Sequence, residues 1–141
     1  MLVMRSKPDD DILSLIPHRE PFIQVGALVS ASDSLFVTRL TIGAENMLLK
    51  NGRFMESGLL ENIAQSAAAG FGYLGRESGQ EPKVGYIGAI SRVEVSALPA
   101  AGDTITTHVT VLHRLDPVVM VHGACYRGDE KLLEGEIKLV I

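Results

Sequence analysis

The stretch ESGLLENIAQSAAAGFGYLG, beginning at Glu56, constrains the fold more than any other part of the chain. Its Leu, Ile, Ala and Phe residues recur at helical spacing and cover almost every side of the helix they predict. A helix of that kind has to be wrapped by the rest of the molecule. Ser57 is the expected N-cap, its hydroxyl accepting from a first-turn amide. Gly72 and Gly75 are the expected site of a left-handed cap at the other end.

The wrapping material is strand. FIQVGALVSASDSLFVTRLTIG reads as two β-rich runs joined by a turn at SASDS. Asn51-Gly52 marks a turn in the connection AENMLLKNGRFMES. After a loop at RESGQEP come KVGYIGAISRVEVS, DTITTHVTVLHRLD, VVMVHGACYRG and KLLEGEIKLVI, the last two joined by a hairpin at Gly128-Asp129. The run Asp9, Asp10 and Asp11 precedes ILSLI as an acidic start to a short helix. Pro17 and Pro21 hold PHREP out of helix. One long helix against mostly antiparallel strands is an α+β layout, and 141 residues suit a single domain over 1–141.

Four polar residues interrupt the apolar helix. Glu61 and Gln65 lie one above the other, with Asn62 and Ser66 beside them. One reading is a solvated stripe. The other is a carboxylate in a partly dry cleft, oriented by neighbouring amides and able to exchange protons near neutral pH. The stripe has no Lys or Arg and stops after Ser66, which a solvated face would not ordinarily do. Composition leaves both readings open.

Charge and residue types remove several function classes. A net charge of −4 with scattered basic residues gives no face for nucleic acid. A single cysteine, Cys125, excludes an intrachain disulfide and a thiolate metal site, and it reads as a small buried hydrophobe. His108, His113 and His122 fall on strand or turn positions without metal-ligand spacing, so no metal or cofactor is expected. The glycines of GYIGAI suggest close backbone approach in a strand rather than a phosphate loop. MLVMRSKPDDD has no long apolar region, and no run is long enough to span a bilayer, so a cytoplasmic domain is expected.

LIPHREPFIQV, then GLLENIAQSAAAGFGYLG, then YIGAISRVEV and LPAAGDTI follow one another in an order that covers most of the chain. Together they resemble the hotdog-fold beta-hydroxyacyl-(acyl-carrier-protein) dehydratases, and most closely their divergent aryl-polyene-type branch. The resemblance implies a curved antiparallel sheet wrapped round one central helix. It also implies a homodimer or heterodimer of hotdog subunits with active sites at the interface, and a substrate presented as an acyl thioester on acyl carrier protein. ENIAQ matches the family's carboxylate motif, which makes Glu61 the catalytic carboxylate at the mouth of an acyl tunnel. The amides around Ser57 and Gly58 correspond to the carbonyl-binding helix start. Asn46, Gln65 and Asn62 are the further substrate-binding candidates.

The family's usual histidine segment before the helix is replaced here by AENMLLKNGRF, which contains no histidine. His18, held between two prolines, is the candidate that takes over as base. Thioester hydrolysis, and a non-catalytic partner role, are the alternative readings. Arg53, Arg76 and Arg92 are candidate contacts for an acidic carrier protein.

Overall fold

A computed structural model describes residues 4–5, 12–83 and 85–141. The acidic run Asp9–Asp11 lies outside the described residues. Strands β1 (Met4–Arg5), β2 (Ala27–Ala31) and β3 (Leu35–Thr41) precede a small hairpin of β4 (Leu49–Lys50) and β5 (Arg53–Phe54). Helix α1 (Glu56–Glu77) follows, then β6 (Tyr86–Val95), β7 (Thr104–Leu115), β8 (Val118–Arg127) and β9 (Glu130–Val140). Seven strands form one sheet in the order β1-β2-β3-β7-β8-β9-β6, every pair antiparallel. This is the expected α+β arrangement. Among the described residues no helix is long and apolar enough to cross a membrane.

Alternation explains the layering. In β3, Phe36, Thr38 and Leu40 point inward and are buried, while their neighbours face outward. Ile105, Thr107 and Val109 do the same on β7. α1 lays Leu59, Ile63 and Ala67 against this face. Two glycines let the layers close. A Cβ on Gly123 would stand 2.4 Å from Ile63, and one on Gly70 would stand 2.2 Å from the Phe36 ring. The turns fall where expected: Asn51 and Gly52 both take positive φ in the β4–β5 hairpin, as does Gly128 between β8 and β9.

Both helix ends differ from expectation. The N-cap is Met55, without a side-chain cap bond, and Ser57 lies inside the first turn. The start is set instead by β5, because Phe54 packs so tightly over Gly58 that a Cβ there would stand 2.6 Å from its ring. At the other end the chain leaves the helix through Ser78, and Gly79 rather than Gly72 or Gly75 takes positive φ. Gly72 is small because a Cβ would stand 2.0 Å from the Leu15 carbonyl oxygen. Gly85 and Gly88, expected at a close approach in the sheet, have only ordinary space around them.

Candidate active site

The polar stripe of α1 resolves into two parts. Asn62, Gln65 and Ser66 are buried, which rules out a solvated face. Their polar groups fasten the helix to its surroundings. Ser66 Oγ pairs with Thr38 Oγ1 on β3 at 2.6 Å. Asn62 Nδ2 donates to the Gln24 carbonyl at 2.7 Å, and its Oδ1 accepts from Thr107 on β7. Gln65 Oε1 accepts the Gln24 amide at 2.6 Å, while Nε2 donates to the Phe22 carbonyl at 2.9 Å. Paired in this way, the amides avoid the cost of burying unsatisfied polar groups.

Glu61 is the exception, being only partly buried. Its Oε2 accepts from Gln65 Nε2 at 3.0 Å, whereas Oε1 has no partner among the described residues. Positions 57, 61, 64, 68, 72 and 75 recur at three- and four-residue steps, so they share one helix face. Past Glu61 that face carries only small residues, Ala64, Ala68, Gly72 and Gly75. They line a slot whose other walls are Phe71, Leu139 and Ile141 together with the polar Gln80, Glu81, Lys83 and Arg114. From Ala64 to Gly75 the slot runs about 16 Å at the helical rise. At its far end Arg114 lies with its guanidinium 4.6 Å from the Phe71 ring centre and its Nε 2.8 Å from Asp116 Oδ1.

The amides at the helix start divide in two. Gly58 N–H is bonded to the Met55 carbonyl at 2.9 Å. The N–H groups of Glu56 and Ser57 make no hydrogen bond among the described residues, as the first turn of a helix leaves them. They are the donors available to a developing negative charge at the positive end of α1.

His18 sits in the loop between Pro17 and Pro21, half-buried, with Arg19 bridging the Ile16 and His18 carbonyls. Its Nδ1 is enclosed without a hydrogen-bond partner. Asn46 is tied to Gln24 by two side-chain bonds, at 2.7 and 3.1 Å, and its Oδ1 also accepts the Leu48 amide. It lies on an open groove with Glu20, Ile23, Val25, Leu40 and Glu45. Thus the fold joins Glu61, Gln65, Asn62 and Asn46 into one hydrogen-bonded series. No hydrogen bond links His18 to it among the described residues.

Two contributors escaped the sequence reading. Gln24 joins every other amide in the series, and its only signal was a lone glutamine within the apolar run FIQV. Arg114 reached the slot from β7 without any local motif. Cys125 is buried beneath Thr107 and Asn62, its thiol pushed up to about 12 by burial. His108 and His113 are exposed, and His122 pairs with Glu134 at 3.5 Å. Among the described residues no cluster of His, Cys, Asp or Glu could hold a metal.

Known proteins align with this architecture over most of its length. A 3-hydroxyacyl-[acyl-carrier-protein] dehydratase FabZ of Clostridioides difficile is 26% identical, with 94% of this chain and 95% of the relative covered. A FabZ of Oenococcus oeni is 27% identical, covering 93% and 96%. Among solved structures, the dehydratase heterocomplex ApeI:P of Xenorhabdus doucetiae superposes with a TM-score of 0.85 at 15% identity, over 96% of this chain and 91% of that one. The Escherichia coli PaaI protein superposes at 0.60 with 16% identity and 81% coverage of each chain. The fold is therefore the hotdog fold. The family model for ApeP dehydratase matches residues 10–140, and the chain belongs to the ApeP-like dehydratase family.

Proposed function

We propose that this protein dehydrates 3-hydroxyacyl thioesters carried on acyl carrier protein, as a hydro-lyase with Glu61 as its acid and His18 as its base. The observation that carries the proposal is the shared helix face. Glu61 stands one turn before Ala64 on the helix face whose small residues line the slot, though it is not itself part of that lining, and we read the slot as the place of the acyl chain. The names borne by the FabZ relatives specify that reaction and that carrier.

Elimination removes one proton from the α-carbon and expels the β-hydroxyl. His18 takes the α-proton, and Nε2 is the nitrogen left for this because Nδ1 is enclosed. The electron pair of the C–H bond becomes the new double bond as the C–O bond breaks. Glu61 delivers a proton to the departing oxygen, giving water and a 2-enoyl thioester. The Glu56 and Ser57 amides hold the thioester carbonyl as it gains charge.

The site is completed by a second hotdog subunit, identical or related, in this proposal. β6 supports it: among the described residues the strand pairs only with β9, and Tyr86, Ile90 and Val95 are exposed along it. The heterocomplex of the ApeI:P structure favours a related partner.

The test is absorbance of the conjugated enoyl product from a 3-hydroxyacyl thioester, with the partner subunit present. His18→Ala and Glu61→Gln should each lower kcat by about 10²-fold or more. Free thiol without enoyl product would identify a thioesterase. Turnover that survives both substitutions would assign catalysis to the partner and leave this chain a supporting subunit.

A further inference from the structure

We infer that Gln24 is a positioning residue for Glu61, dictating through Gln65 which carboxylate oxygen delivers the proton. The inference rests on the dehydratase reading above.

A glutamine amide has two orientations, with oxygen and nitrogen exchanged. Gln65 has only one that works. The Gln24 backbone N–H can only donate, so the Gln65 atom facing it is Oε1, at 2.6 Å. The Phe22 carbonyl can only accept, so the atom facing it is Nε2, at 2.9 Å. The remaining hydrogen on Nε2 points to Glu61 Oε2, at 3.0 Å. Oε2 must therefore accept in both protonation states. When Glu61 carries a proton, that proton resides on Oε1, the oxygen without a partner among the described residues.

The arrangement holds only while residues 22 and 24 keep their places. Asn62 Nδ2 holds the Gln24 carbonyl at 2.7 Å. The Gln24 side chain exchanges two bonds with the Asn46 amide, and Asn46 is fixed in turn by the Leu48 amide. Gln24 is 1% exposed, so its amide has no water to fall back on. Removing that side chain strands Asn46 and frees the loop whose backbone orients Gln65.

The experiment compares wild type, Gln24→Met, Gln65→Leu and the paired Gln24→Met/Asn46→Leu, in which both amides are replaced. Two readouts are used: kcat and KM for enoyl formation, and the NMR signals of the Gln65 side-chain NH2. Gln24→Met should lower kcat about tenfold with KM nearly unchanged, the size expected for one displaced hydrogen bond. It should also split or broaden the Gln65 NH2 signals as the amide samples both orientations. The paired variant should recover part of the lost kcat and restore the single pair of signals. Gln65→Leu should lose at least as much kcat as Gln24→Met.

Unchanged Gln65 signals in Gln24→Met, or a loss in KM alone, would overturn the inference. The NMR readout needs no turnover. Wild type that forms no enoyl product while Gln65 responds as expected would sink the dehydratase reading and leave the positioning role standing. Should Gln24→Met fail to fold, the paired variant, with no half-satisfied side-chain amide, provides the same comparison against Gln65→Leu.

Discussion

At the scale of single residues, burial separates groups that react from groups that hold. Cys125 shows the holding case. Desolvation lifts its thiol from an ordinary value near 9 to about 12, against the smaller opposing pull of the Thr107 hydroxyl. The protonated thiol is the form the fold prefers, so this contribution to stability is full below pH 9 and is lost as pH rises toward 12. Because thiolate is the nucleophile, alkylation of the native protein at pH 8 should be slow, and denaturant should abolish the protection. Mass spectrometry of iodoacetamide-treated protein checks this; rapid native labelling would contradict the geometry. The sequence reading already had Cys125 as a small buried hydrophobe, because a lone cysteine between Ala124 and Tyr126 on a strand pattern has nothing to react with.

At the scale of elements, the helix and the four long strands were legible because periodicity reports which side of an element meets the core. The helix caps were not. Ser57 has a capping side chain, yet the helix begins two residues earlier because β5 and the Phe54–Gly58 contact decide where the backbone turns. Likewise Gly72 has the look of a terminator, but it is a contact point with the Leu15 carbonyl. The distinction can be measured. Gly72→Ala adds a better helix former, worth about 1 kcal/mol. It also forces a methyl against a backbone carbonyl that cannot step aside, at about 1–3 kcal/mol. The clash should win, lowering the thermal midpoint by several degrees, whereas a terminating glycine would have shown strain in φ instead. The polar stripe shows the limit of pattern reading. Its polarity was evident from residue types, but its purpose lay in Phe22, Gln24, Thr38 and Thr107, partners far away in sequence.

At the scale of the whole molecule, the sequence offered His18 as the partner of Glu61 only through the family resemblance, and no hydrogen bond joins the two among the described residues. The edge strand β6 was legible as a strand and not as an edge. Its ten residues alternate weakly because nearly all of them are exposed. Ile90→Lys places a charge in the middle of that strand. It should leave the monomer fold intact, by circular dichroism, while shifting the mass measured by light scattering from dimer to monomer and removing enoyl formation. A dimer that tolerates the charge would place the subunit contact elsewhere.

In the proposed assembly, an open ladder of that length also ties the chain's abundance to its partner's. Whatever pairs along β6 binds the folded form alone, so it acts on folding by mass action. Each tenfold rise in free partner above its dissociation constant adds about 1.4 kcal/mol to the stability of the folded chain. A subunit made in excess gains none of this, and its exposed edge is the kind of surface that recruits other strands. In the proposed assembly, matched synthesis of the two subunits is thus a requirement written into one strand.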